Sequence, residues 1–289
     1  MENLTDAQIK KLEIKANDIR QSIIEMLLEA KSGHTAGPLG MTDIFTLLYF
    51  HALKHNPKKP DWPDRDRLIL SNGHICPVLY ATMAHAGYMP VDELKTLRKF
   101  GSRLQGHPHR EFMPALENSS GPLGAGLSQA VGMAIATRID QSNSTDKTIY
   151  CLTGDGELDE GQNWEAIMLA GKEKLRNLIV FIDRNNIQID GYTENIMPLG
   201  DVGEKWRAFN WHVQEIDGHN FQQINDAINK AKAVYNKPSV IVAYTIPGKG
   251  VKEFERDYHW HGIPPNKEQA DMALRELRTL GGQIKGEHE

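Results

Sequence analysis

The sequence has little cysteine, no long apolar run and no excess of positive charge. Its two cysteines, Cys76 and Cys151, cannot build a disulfide framework. Cys151 lies in an apolar run with Ile149, Tyr150 and Leu152, so both thiols are expected to be buried and reduced, as in a cytosolic protein. No stretch approaches the ~18 consecutive apolar residues of a membrane span, and the N-terminus has no basic-then-apolar leader. The expectation is a cytoplasmic chain with no membrane contact. With 33 basic against 38 acidic residues and a formal net charge of −5, the chain lacks the basic face that nucleic-acid binding requires. Low-complexity tracts and internal repeats are missing too, the 25 glycines being spread along the chain.

What is present is 289 residues, 40% hydrophobic and 25% charged, enough to bury a substantial core. Short apolar runs at 67–71, 148–155, 178–183, 211–217 and 239–246 have the length and β-branched content of buried strands. Amphipathic segments such as 123–139, 161–174 and 221–235 lie between them. This alternation predicts an α/β fold, a mostly parallel sheet covered by helices on both faces. Such sheets bind ligands at the carboxyl ends of their strands. A helix over 5–31 places Ile9, Leu12, Ala16, Ile19, Ile23 and Leu27 on one face and is expected to stop at Gly33. The segments 57–63 and 141–147 read as loops, not linkers. One domain is expected over 1–265, followed by a C-terminal helical tail over 266–289.

The strongest local signal is a strand ending in Gly154-Asp155-Gly156, then an acidic turn that opens a helix at Gly161. The flanking glycines let the backbone turn sharply and approach a ligand closely. About thirty residues on, the next strand also ends in polar groups, Asp183-Arg184-Asn185-Asn186-Ile187. A hard cation such as Mg²⁺ takes six oxygens, commonly one or two from side chains and the rest from phosphates and water. The Asp155 carboxylate, the Asn185 amide oxygen and the Ile187 carbonyl, with two diphosphate oxygens and a water, would complete an octahedron.

This pair resembles the thiamine-diphosphate signature of a whole superfamily, Gly-Asp-Gly followed by a distant Asn. Further motifs resemble transketolases in particular. They are the run from Lys31 through His34 to Gly40, Ser71-Asn72-Gly73-His74, Gly106-His107-Pro108, the glycine-rich run from Ser120 to Gly126, and Trp260-His261-Gly262. The resemblance covers about residues 15–265 and corresponds to the first part of a full-length transketolase. It implies thiamine diphosphate and Mg as cofactors. His74 and His261 would donate to the diphosphate, joined by the Gly156 N–H. Gly121, Pro122 and Leu123 would line the aminopyrimidine, and His34, His107 and His261 would ring the hydroxyls of a sugar substrate. Imidazole suits proton exchange there because it ordinarily titrates near neutral pH.

Several residues carry two readings. Glu160 either favours the start of a helix or, as the resemblance implies, joins a carboxylate network reaching a partner's catalytic acid. Glu157 reads as helix-start charge. Lys249 is either a solvated loop lysine or a phosphate contact. His51, His55, His85 and His212 read as satisfied polar residues. Thr35 departs from the family, which usually has proline after the first motif histidine.

In transketolases the acid that activates the cofactor, and the basic groups gripping sugar phosphate, belong to a later pyrimidine-binding domain. No such domain is expected after Pro265. The resemblance therefore implies a chain inert alone, paired with a C-terminal, pyrimidine-binding subunit in a heterotetramer of two copies of each. The implied activity is transfer of a two-carbon ketol unit between sugar phosphates. The alternatives are a deoxyxylulose-phosphate synthase or 2-oxoacid dehydrogenase subunit, or a catalytically silent regulatory one. A sulfonated or branched donor sugar stays open.

Overall fold

The computed structural model describes residues 3–140 and 147–279; most of the expected loop 141–147 and the end of the expected tail, 280–289, lie outside the described residues. The chain opens with helix α1 (Asp6–Ala30). Thr5 and Gln8 form its capping box, the Thr5 side chain accepting from the Gln8 N–H at 3.3 Å and the Thr5 N–H donating to Gln8 Oε1 at 2.8 Å. The helix ends earlier than expected. Lys31, not Gly33, takes the left-handed cap conformation, with φ 51° and its N–H donating to Leu27 O. Gly33 serves instead for close approach, because a Cβ there would lie 2.5 Å from Leu27 Cδ2.

Two helices follow, α2 (Ala36–Leu47) and, after strand β1 (Arg67–Leu70), α3 (Cys76–His85). Then come α4 (Ala125–Ile139), β2 (Ile149–Gly154), α5 (Gly161–Glu173) and β3 (Leu178–Arg184). A hairpin of β4 (Ile187–Gln188) and β5 (Gly191–Tyr192) leads to the short helices α6 (Thr193–Ile196) and α7 (Val202–Ala208). The chain continues through β6 (His212–Asp217), α8 (Phe221–Ala233), β7 (Ser239–Tyr244) and α9 (Lys267–Thr279). The five long strands fall within the five expected runs, apart from Arg184, one residue beyond its run.

Those strands form one wholly parallel sheet in the order β1-β2-β3-β7-β6. Side chains alternate across it as the strand period requires. Leu70, Tyr150, Leu152, Phe181 and Ile241 join one core with α1, α2, α3, α8 and α9. Ile69, Ile149, Cys151, Val180 and Val242 join a second core with α4, α5 and α7. Both faces are therefore covered, and the free rim is where the strand ends open. Both cysteines are buried and unpaired. Among the described residues no helix is long and apolar enough to cross a membrane.

Two glycines set how tightly the layers close. In α5 a Cβ at Gly171 would fall 1.9 Å from the Phe209 carbonyl, and in α4 one at Gly126 would fall 2.5 Å from Ser71 Cα. The second contact draws α4 against the segment leaving β1.

Candidate functional site

Strands β1, β2 and β3 run parallel and end side by side, with Gly154 paired to Asp183. Their carboxyl ends feed a cleft of about 420 Å³. From β1 come Asn72 and His74, from β2 Asp155 to Glu157, from β3 Asn185 and Ile187, with Gln188, Ile189 and Asp190 beyond; His34, His107, Gly121, Leu123 and His261 close it from loops. The cleft lies at the carboxyl ends of the strands, where the sequence reading expects a ligand. Of the residues expected at the site, only Pro122 and Glu160 do not line the cleft.

Asp155 is 1% exposed. Its Oδ1 accepts from the Gly156 N–H at 2.7 Å, and Oδ2 accepts from the Asn186 N–H at 2.7 Å and from Arg184 Nη1 at 2.9 Å. Burial pushes its pKa up, and the Arg184 guanidinium opposes that shift. Arg184 also donates to Glu194 at 2.5 Å. Asn185 is oriented by its neighbours: Nδ2 donates to Asp183 Oδ2 at 2.8 Å and Oδ1 accepts from the Ile187 N–H at 3.0 Å. Amide oxygen has two lone pairs, so one stays available. Asp183 is buried and further held by the Thr245 hydroxyl; burial first, then the Asp155 charge, pushes it up to about 7. Among the described residues no group of three or more His, Cys, Asp or Glu side chains could hold a metal. The Asp155 carboxylate, the Asn185 amide oxygen and backbone carbonyls such as that of Ile187 offer hard oxygens that suit a cation sharing its shell with phosphate and water.

Three imidazoles meet on the other wall. Ring centroids are 4.8 Å apart for His34 and His74, 5.2 Å for His74 and His261, and 5.6 Å for His34 and His261. His107 is exposed at the rim. Burial, then the neighbouring rings and Arg98, holds His34 at about 3; burial holds His261 at about 4 and pushes His74 well down. His107 is lowered by burial and by Arg98. Titration near neutrality, expected of these rings, is not what their surroundings give. They are neutral imidazoles, each with one N–H to donate and one nitrogen to accept. His34 Nδ1, His261 Nδ1 and Asn72 Oδ1, all on residues that line the cleft, are buried without a hydrogen-bond partner. Buried polar atoms are normally satisfied, so this wall has the polar demand of a ligand site and fits a cofactor rich in oxygen.

Other residues depart from the sequence reading. Glu157 is no helix-start charge: it is buried, and its carboxylate accepts from the Ser71 hydroxyl at 2.5 Å, the Gly124 N–H at 2.6 Å and the Gly154 N–H at 3.0 Å. Glu160 is exposed at the start of α5, where its Cβ packs against Gly124. Lys249 is buried, which removes the solvated-loop reading, and it does not line the cleft. Thr35 is buried and its hydroxyl donates to the Ile263 carbonyl at 2.6 Å, joining the His34 segment to the His261 segment. His55 and His85 have their partners, whereas His212 Nε2 is buried without one. Sequence reasoning gave no role to Asn72 or Gln188 and missed a buried cluster that joins α1, α2 and the segment after β6. There Arg20 pairs with both oxygens of Asp43 at 3.0 and 2.7 Å. His219 Nε2 accepts from the Ile246 N–H, so Nδ1 carries the proton and donates to Asp43 at 2.7 Å.

Residues 11–281 match the thiamine diphosphate binding domain of transketolase. A similar curated protein is the 6-deoxy-6-sulfo-D-fructose transketolase subunit SqwG of Clostridium sp. (strain MSTE9), 44% identical over 93% of this chain and 97% of that protein. An apulose-4-phosphate transketolase subunit from Phocaeicola vulgatus is 38% identical over 93% of this chain and 95% of its own length. Among solved structures, transketolase from Leishmania mexicana superposes with a TM-score of 0.88 at 36% identity, covering 92% of this chain and 41% of that longer one.

Proposed function

The chain belongs to the transketolase family as a thiamine-diphosphate-binding N-terminal subunit, and from that premise we propose that it supplies the diphosphate and Mg²⁺ half of a two-chain enzyme. The observation that carries the reading is the cleft itself. It sets hard oxygen donors on one wall and a cluster of neutral imidazoles with unmet hydrogen bonds on the other.

In this reading Asp155, the Asn185 side-chain oxygen and the Ile187 carbonyl hold the cation. His74, His261 and the Gly156 N–H donate to the diphosphate, while Gly121, Pro122 and Leu123 flank the aminopyrimidine. When bound, thiamine diphosphate supplies the carbanion chemistry of ketol transfer. The chain's own part is to bind and orient. His34, His107 and His261 face the sugar hydroxyls as neutral rings, each able to accept a hydrogen bond from a hydroxyl at one nitrogen while donating from the other. Glu160, facing solvent, is assigned to the contact with the partner's acid.

The partner is a second chain carrying the pyrimidine-binding domain, assembled two with two. Residues 1–265 form the binding unit, and the segment that follows is a tail whose helix α9 packs into the same core as α1. The named relatives act on a sulfonated sugar and on apulose 4-phosphate, so the donor class is a ketose with an anionic terminal group, read mainly by the partner. The location is cytoplasmic, a reading supported by two unpaired cysteines. The test is calorimetry of Asp155→Ala. Loss of Mg²⁺-dependent thiamine diphosphate binding beyond the roughly 10–100-fold of indirect metal-site changes, with the fold intact, is expected. Unchanged affinity would sink the metal assignment, and turnover of pyruvate in place of a ketose donor would move the enzyme to the synthase class.

A further inference from the structure

We propose that Glu157 is the positioning residue of the cleft: one buried carboxylate sets the spacing of the three segments that hold cation, diphosphate and pyrimidine. The proposal rests on the cofactor assignment above. Each of its hydrogen bonds goes to a different segment. Ser71 begins the turn that carries Asn72 and His74, Gly124 closes the run Gly121 to Leu123, and Gly154 immediately precedes Asp155. The Glu157 carbonyl accepts from Asn163 Nδ2 at 2.7 Å, which fixes the same turn to the first turn of α5.

These segments lie very close to one another. A Cβ at Gly73 would fall 2.3 Å from Ser120 Oγ, and one at Gly126 would fall 2.6 Å from Ser71 Oγ. Where they converge they are bridged by a side chain that only accepts. Two of its three donors are main-chain N–H groups, which no substitution elsewhere removes. Without the acceptor they are buried unsatisfied donors, and the segments must shift to find water. A carboxylate merely favouring a helix start would face the first N–H groups of that helix. Glu157 instead gives both oxygens to segments outside α5.

Glu157→Gln keeps the shape but replaces one acceptor oxygen with an NH₂ that faces donors. The expected result in the full chain is an unchanged far-ultraviolet spectrum and thiamine diphosphate affinity, measured by calorimetry with saturating Mg²⁺, weaker by about 10–100-fold. A purely structural role would lower the melting temperature and leave the affinity of the folded protein alone. Affinity within twofold of the unsubstituted chain overturns the proposal. Should Glu157→Gln fail to fold, Ser71→Ala removes a single donor and reads the same split, with several-fold weakening expected and no change overturning it. Amide exchange without cofactor gives a second readout: Gly124 and Gly154 should lose protection in the variant. If the unsubstituted chain binds no thiamine diphosphate, the function assigned above fails, and the exchange experiment still decides the role of Glu157.

Discussion

Asp155 already has a cation beside it. Arg184 donates to the carboxylate proposed to meet Mg²⁺, and Glu194 already holds the other nitrogen of the same guanidinium. Arg184→Gln should therefore act in two directions. The metal-free chain loses the counter-charge of a buried carboxylate, a change that costs about 3 kcal/mol and is measured by urea denaturation. The Mg²⁺ concentration needed for half-saturation should fall, because a competing positive charge is gone. An unchanged Mg²⁺ requirement would mean that Arg184 and the cation never contend for Asp155. The histidine wall makes a second prediction. Unfolded imidazoles take up protons near pH 6.5, whereas folded His34 stays neutral to about 3 and His261 to about 4. Between those limits the unfolded state binds more protons, so stability falls as pH drops from about 6.5 toward 4. His34→Asn should flatten that slope in denaturation curves taken across the interval. A slope identical to that of the unsubstituted chain would show that His34 protonates freely when folded. Residue types are legible in the sequence at this scale, but side-chain direction is not. Glu157, Asp159 and Glu160 lie within four positions and are alike in charge; only the path of the turn decides that Glu157 is buried and Glu160 is not. Arg20, Asp43 and His219 are far apart in the chain, and no local pattern joins them.

Among the elements, the helices differ in how they announce themselves. The long strands are legible as short, nearly unbroken apolar runs because both faces of the sheet are covered, and the amphipathic helices α1, α4, α5 and α8 because one face of each meets a core and the period survives in the sequence. Helix α2 is not, since all of its residues are buried, and α3 exposes little more than His85; a helix apolar all round carries no stripe. The departure at Thr35 is likewise an element-level matter. The residue stands at the start of α2 without capping it, its hydroxyl given to Ile263 instead. Packing of α5 gives a paired prediction. Gly171→Ala must push α5 off the Phe209 carbonyl and should destabilise by about 3 kcal/mol. Gly132→Ala in α4, with nothing within 4 Å of the added methyl, should stabilise by up to about 1 kcal/mol. Thermal or urea unfolding compares the two. Equal effects would mean that the α5 contact yields without strain.

For the whole molecule, the premise is a chain that spans nearly all of two relatives named as subunits and 41% of a solved transketolase chain. The purified protein should show no ketol transfer alone and gain it when a pyrimidine-domain partner is added. Cofactor affinity should rise at the same time, because a site closed from both sides grips better. By linkage, cofactor must then tighten the partner to the same degree. Mass measurement should find two of each chain. Robust turnover by the isolated protein, at a rate indifferent to the partner, would disprove the split arrangement.

The strand order bears on how such a protein is made. Strand β7 lies between β3 and β6, so β6 has no neighbour to pair with until residues 239–244 have left the ribosome. The growing chain must carry β6 without a ladder partner through that interval, although α8 can already pack on α1, α2 and β6. Side chains of α9 then join the core that holds α1. Messages truncated before residue 239 should accordingly yield chains that bind chaperones or aggregate, and a slow codon stretch just upstream of β7 would lengthen the exposed stage more than one placed anywhere after it.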